Sequence, residues 1–318
     1  MQAIRVDSQG GTSASLELVE LPVPTLTEPF DILTRVPGKI VGWDASGVVE
    51  AAGPRALFKP GDFVYYCGEY DRPGCNSQLQ LVDSRIVGRK PAKLSWEDAA
   101  AVPVIGITSW EMFVEKFRWA PHGDNGADTT LLIVNAAGGV GTMALLLASK
   151  VFSIKRIIAT ASRPETIDWV KKFGATDVLN HREPLGPQLE ALQLNPSHAL
   201  LCHDDTNYIA QLATHMRPAG HIGSIVNADS IPFGGSAMFR ALTFSWGLTF
   251  SKSMFKYDLE SQHRILNELA DLVDDGTIPS MVTVRKEFGL QALREGHDLQ
   301  ESGRVYGKIA FTVLERWS

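Results

Sequence analysis

The chain is poor in several things, and each scarcity excludes something. Its 318 residues include only three cysteines, Cys67, Cys75 and Cys202. So low and odd a count, irregularly spaced, excludes a disulfide framework and fits a reducing compartment. No stretch holds about 18 uninterrupted apolar residues, so no membrane-spanning helix is predicted. The opening MQAIRVDSQG is polar where a secretory leader needs an apolar centre. A cytoplasmic protein with no membrane partner is therefore expected. Basic residues are not in excess: 30 Lys and Arg stand against 36 Asp and Glu, a formal net charge of −6. With no basic run, nucleic acid is not expected as a partner. An anionic ligand would have to be held by a local site, because the overall field does not favour it.

What is present is a globular composition, 44% hydrophobic and 21% charged, in a chain long enough for two domains. The first hundred residues are mostly β. SLELVEL and FDILTRV read as strands, KPGDFVYYCG sets a turn before an aromatic run, and NSQLQLVDSRIVG alternates apolar and polar residues. At LSWEDAAAVPVIGITSWEMFVEKF the pattern becomes helical, with Ser95 and Asp98 spaced as a capping box. Glu111 and Lys116 are expected to face solvent.

From residue 129 strand and helix alternate. TTLLIVN precedes a helix from 139 to 152, RIIATAS precedes PETIDWVKKFG, ALLCH precedes NYIAQLATHM, and GHIGSIV follows. Such alternation predicts a parallel sheet covered on both faces, an α/β fold of the doubly wound kind. The tail carries one long helix, LESQHRILNELADLVDDG, then a strand, a second helix near 289–301 and the strand GKIAFTVL, which has to pair in the β-rich part.

The loop after the first strand of the alternating region reads Ala136-Ala137-Gly138-Gly139-Val140-Gly141. Against the dinucleotide pattern G-x-G-x-x-G, Ala136 takes the first place, and Gly138 and Gly141 the second and third. The second glycine lets the backbone approach a pyrophosphate, and the third lets helix and strand pack closely. The helix N-terminus then offers N–H groups and the positive end of its dipole. The same spacing also suits a tight turn with no ligand. The flanking strands and helix favour cofactor binding.

NAD sites place an acid about 20 residues beyond the glycines, on the adenosine ribose. Here the strand ends Thr160-Ala161-Ser162-Arg163. A hydroxyl and a guanidinium suit a 2′-phosphate, whereas an acid would repel it. NADP(H) is therefore predicted. No metal is expected. The histidines are scattered, and the one tight group of potential ligands, Cys202-His203-Asp204, reads as a loop at the carboxyl edge of the sheet.

These stretches, with VGWDASGVVEAAG (41–53), RPGCNSQLQLVDSRIVGRKP (72–91), LVDDGTI and ESGRVYGKIAF, resemble a medium-chain dehydrogenase/reductase. Within that superfamily the chain is similar to the zinc-free branch of quinone oxidoreductases and zinc-type alcohol dehydrogenase-like proteins. Where zinc members carry Gly-His-Glu, this chain has Gly42-Trp43-Asp44, and the four-cysteine zinc lobe is absent. The resemblance implies a GroES-like catalytic domain from residues 1–107 and 257–318 around a Rossmann NADP-binding domain of 108–256. It implies cofactor contacts from Thr108, Ala137, Gly138, Gly139, Val140, Gly141, Ser162, Arg163, Asn180, Ile225 and Val226. Asn180 equally suits a turn, and Thr108 a helix cap. A homodimer is implied by the resemblance alone.

One departure matters. Family members continue from the strand matching DILTRV into a segment V-N-P-x-D-x-K that lines the substrate cleft. Here Arg35-Val36 passes directly to Pro37-Gly38, so the first domain is shortened near 36–38 and no proton donor or other catalytic residue is named. The expected activity is zinc-independent, NADPH-dependent hydride transfer to a quinone, enone or other carbonyl compound. The alternative is a catalytically impaired NADPH-binding protein acting as sensor or scaffold.

Overall fold

The computed structural model describes residues 1–6, 16–39, 43–203 and 205–312. Gly42, Asp204 and the last two residues of GKIAFTVL, all singled out above, lie outside them. The chain divides into two compact units, Met1–Ile107 with Thr249–Ser318, and Thr108–Leu248.

In the first unit the strands are β1 (Gln2–Val6), β2 (Leu16–Glu20), β3 (Asp31–Lys39), β4 (Asp44–Ala52), β5 (Phe63–Cys67), β6 (Leu79–Asp83) and β7 (Val87–Arg89). In the second they are β8 (Thr130–Val134), β9 (Arg156–Thr160), β10 (Asp177–Leu179), β11 (His198–Leu201), β12 (His221–Ser224) and β13 (Thr243–Trp246). The chain then returns to the first unit for β14 (Val282–Glu287) and β15 (Lys308–Thr312).

The first unit is built on a sheet of order β14-β15-β3-β4-β5-β7, with β6 on the other side of β3. β15 pairs with β3 through Phe311–Lys39 and Thr312–Gly38, so the end of the chain does join the β-rich part. β3 continues through Pro37, with its register against β4 shifting between Leu33 and Thr34 and between Arg35 and Gly38, and meets β4 at Gly38–Ser46 and Lys39–Ala45. Alternation along these strands sends Ile32, Val49, Val64, Tyr66, Val82 and Val87 into one core. The helix Leu259–Asp274 closes that core against β7 at very short range. A Cβ on Gly88 would stand 2.4 Å from Leu266 Cβ, so only glycine admits the helix there. The Tyr65 hydroxyl donates to the Leu266 carbonyl at 2.5 Å and ties the same contact. Asp44 is buried and accepts from Val104 N–H at 2.6 Å, with Lys308 Nζ 3.3 Å from its other oxygen. Burial pushes its carboxyl above the usual range, and the Lys308 charge opposes that.

The second unit is a six-stranded parallel sheet of order β10-β9-β8-β11-β12-β13. In chain order within the unit this is 3-2-1-4-5-6, the doubly wound order, with its reversal between β8 and β11. The apolar runs explain it. Leu131 to Val134, Ile157 to Thr160 and Ala199 to Leu201 are buried throughout, as strands covered on both faces must be.

Glu111 departs from expectation: it is buried, with 6% of its surface exposed. The helix Pro103–Glu111 and the π-helical turn Met112–Lys116 bury Ile105, Ile107, Trp110, Met112 and Phe113, leaving no solvent face at that point. Lys116 is half-buried.

Candidate nucleotide site at the carboxyl edge of the parallel sheet

β8 ends in a sharp turn whose geometry answers the missing first glycine. Asn135 takes the left-handed conformation, φ 59°, and Ala136 does not. Asparagine tolerates that region better than most residues, so the turn is made one position earlier than the pattern suggests. Asn135 N–H donates to Thr160 Oγ1 at 2.9 Å, which pins the turn to the end of β9.

The helix Gly139–Lys150 starts from Gly138, which is extended (φ −71°, ψ 173°) and gives no side-chain cap. The two key glycines differ in what they leave room for. A Cβ on Gly141 would lie 2.6 Å from Ala136 Cα and 2.6 Å from Asn135 O, so this glycine is required by the protein's own backbone. A Cβ on Gly138 would meet only Asn135, its Nδ2 at 3.3 Å and its backbone oxygen at 3.5 Å. The fold itself hardly needs glycine at 138; a ligand approaching the backbone would. An uncapped helix N-terminus beside that open position suits an anion.

Thr142 in the same helix is fully buried and accepts from Trp169 Nε1 at 2.9 Å, fixing the next helix, Pro164–Lys172, against the loop. That helix begins where β9 ends. Arg163 is its N-cap, and Arg163 Nε contacts Glu165 Oε1 at 3.0 Å. Ser162 Oγ lies 3.1 Å from His181 Nε2 at the end of β10. Asn180 spends its side chain on a turn: its Oδ1 accepts from Arg182 N–H at 3.0 Å and its Nδ2 donates to Glu183 Oε1 at 3.2 Å. His181 was not among the residues picked out from the sequence. Its signal was present, one position beyond Asn180, but only the parallel register of β9 and β10 brings it to Ser162.

Further along the edge, Val226 O accepts from Trp246 Nε1 at 3.1 Å and Val226 N–H donates to Ser224 Oγ at 3.1 Å. Ile225 N–H donates to Leu201 O at 3.2 Å. The carboxyl ends of β8, β9, β10 and β12 thus carry every residue expected at a cofactor except Thr108, which is buried in the helix Pro103–Glu111. Cys202, just after β11, is half-buried, and burial pushes its thiol up to about 12. Among the described residues no three His, Cys, Asp or Glu side chains gather as metal ligands.

In the first unit Trp43, at the place of a zinc ligand in zinc members, packs on Phe250 with ring centroids 4.9 Å apart and stacks on Tyr70 at 5.8 Å. Phe250 is therefore held in an aromatic cluster, while Trp246 is 48% exposed. Trp43 also borders an apolar cavity of about 870 Å³, whose walls include Ile4, Leu16, Leu21, Cys75 and Leu79.

Known proteins resemble this chain in sequence and in fold. The profile of the zinc-binding dehydrogenase family matches residues 173–310. A zinc-type alcohol dehydrogenase-like protein of Staphylococcus aureus (strain MSSA476) is 31% identical over 296 residues, covering 92% of this chain and 87% of the relative. Among solved structures, a protein of Rhizobium etli CFN 42 described as a zinc-dependent alcohol dehydrogenase superposes with a TM-score of 0.90 at 34% identity, covering 99% of each chain. The Escherichia coli quinone oxidoreductase solved with NADPH has a TM-score of 0.81 at 20% identity, covering 98% of this chain and 100% of its own, a likeness of fold.

Proposed function

The chain belongs to the medium-chain dehydrogenase/reductase superfamily and is an oxidoreductase of its alcohol dehydrogenase and quinone oxidoreductase family, and on that premise we propose that it binds NADPH and reduces a conjugated carbonyl compound without zinc. The observation that carries the cofactor reading is Gly138, a glycine the fold does not require, at an uncapped helix N-terminus. The loop Ala137–Gly141 would hold the pyrophosphate through backbone N–H groups. Ser162 and Arg163 would meet the 2′-phosphate, and the Ile225–Val226 strand end and Thr108 would contact the rest of the nucleotide.

When bound, the nicotinamide supplies the hydride, and the protein contributes position and electrostatics. With Trp43 in place of a zinc ligand, negative charge developing on the acceptor would be met by N–H groups, hydroxyls or water. Conjugated acceptors fit such weak polarisation, because they spread that charge themselves. The apolar cavity of about 870 Å³ in the first unit has the volume of a fused-ring ligand.

The test is NADPH consumption with a panel of quinones, enones and simple ketones. Turnover with quinones or enones is expected; no oxidation with any acceptor would overturn the enzymatic reading. A second reading is favoured by β3, which continues as a strand to Lys39 and pairs with β4 with only a shift of register between Arg35 and Gly38. It is a nucleotide-binding protein without useful turnover, and it predicts NADPH binding with no acceptor reduced.

A further inference from the structure

The parallel pairing of β9 and β10 sets Leu179 beside Thr160, and Ala161 N–H donates to Leu179 O at 3.0 Å. Two residues further on, the chains diverge and their side chains face each other. There Ser162 Oγ and His181 Nε2 stand 3.1 Å apart. The other ring nitrogen, Nδ1, is buried, and the Thr160 backbone at the end of β9 is the group that favours a proton on this ring.

We propose that His181 completes the 2′-phosphate site with Ser162 and Arg163, and that the proton it takes up makes the preference for NADPH over NADH depend on pH. The inference rests on the NADPH reading above.

The surrounding charges support it. Burial lowers the imidazole below its usual range, the nearby charges of Arg182, His203 and Arg163 lower it further, and a backbone hydrogen bond with Thr160 opposes them. Basic groups from three places, the end of β9, the turn after β10 and the end of β11, therefore converge on one ring. The acids nearby are engaged elsewhere: Glu165 contacts Arg163 Nε at 3.0 Å, and Glu183 accepts from Asn180 Nδ2. The cations that add to the effect of burial on this ring attract a dianion, and the dianion in turn favours the imidazolium.

The hydrogen-bond roles follow. With neutral His181, Nε2 accepts from the Ser162 hydroxyl. On protonation Nε2 becomes a donor, and the hydroxyl is released to donate to a phosphate oxygen. One protonation would thus turn the Ser162 hydroxyl to the phosphate and set a positive charge behind it. NADH, with a 2′-hydroxyl, gains nothing from it.

The test is the dissociation constant of NADPH and of NADH, read by nucleotide fluorescence between pH 6.5 and 8.5, for the unaltered protein and for His181→Gln. This window lies above the second ionisation of a phosphate monoester, at about 6, so the ligand's own charge changes little. One linked proton weakens binding at most about tenfold per pH unit. The account predicts that NADPH binding weakens at least about tenfold across the window in the unaltered protein, and less than about twofold in His181→Gln. NADH binding should stay flat in both, which also reports that the variant is folded. Calorimetry in buffers of different ionisation enthalpy should show proton uptake with NADPH in the unaltered protein and none in the variant. NADPH binding with the same pH dependence in both proteins would overturn this inference and leave the cofactor reading standing. Failure of the unaltered protein to bind either nucleotide would overturn both.

Discussion

Ser162 and His181 meet across the ends of two neighbouring parallel strands, Oγ to Nε2 at 3.1 Å, at the point where an adenosine ribose reaches in a doubly wound sheet. No acid occupies the end of β9, and this is the basis for expecting NADPH. Ser162→Asp places a carboxylate there. Losing a charge-assisted contact and adding repulsion should weaken NADPH binding about 10- to 100-fold. NADH should bind as well as before or better. Fluorescence titration of both nucleotides checks this; an equal loss for both would mean that Ser162 does not face the 2′ position.

Gly138 and Gly141 are predicted to fail in different ways. Gly141→Ala drives a Cβ to 2.6 Å from backbone atoms and should cost about 1–3 kcal/mol of stability. Gly138→Ala meets the end of the Asn135 side chain at 3.3 Å and its backbone oxygen at an ordinary 3.5 Å, at a φ of −71° that alanine accepts. Its unfolding free energy should change by less than about 1 kcal/mol. Its nucleotide affinity should nevertheless fall at least about tenfold, because the methyl group occupies the approach to the pyrophosphate. Denaturant unfolding and nucleotide titration on the two variants separate the cases. A destabilised Gly138→Ala with unchanged affinity would make 138 a structural glycine.

His198 should make the fold acid-sensitive. It packs between Phe117 and Trp119, each with a ring centroid 4.9 Å away, and faces His221. Burial, then the His221 and Arg217 charges, lowers it from 6.5 to about 4. With the folded value below the unfolded one, the unfolded chain binds more protons between those limits. Stability is therefore complete above pH 6.5 and falls as pH drops toward 4. By pH 5 the loss from this group amounts to about 2 kcal/mol. Urea unfolding at pH 7 and pH 5 should show His198→Phe losing that much less than the unaltered protein. Equal losses would mean that the ring is solvated when charged.

The parallel sheet was legible in the sequence because strands buried on both faces are written as unbroken apolar runs, such as LLIV and RIIAT, separated by helical periods. The last glycine of the loop was legible for a similar reason: close packing leaves no alternative to glycine at 141. Three things were not. The left-handed turn sits at Asn135, one residue before the pattern's first position, because asparagine can take it and Ala136 need not. Glu111 is buried because its helix is enclosed on all sides, a fact about neighbours that charge alone does not reveal. His181 pairs with Ser162 through strand register, 19 residues apart along the chain, and no local pattern encodes that distance.

The measurement that tests the central claim most directly is a fluorescence titration of the purified protein with NADPH and with NADH at neutral pH, followed by addition of 9,10-phenanthrenequinone. The account predicts saturable NADPH binding at least about tenfold tighter than NADH, as one charge-assisted contact to the 2′-phosphate requires. It also predicts oxidation of the bound nucleotide once the quinone is added. Absence of binding by either nucleotide would contradict it, and would make Ala136–Gly141 a turn between a strand and a helix and nothing more.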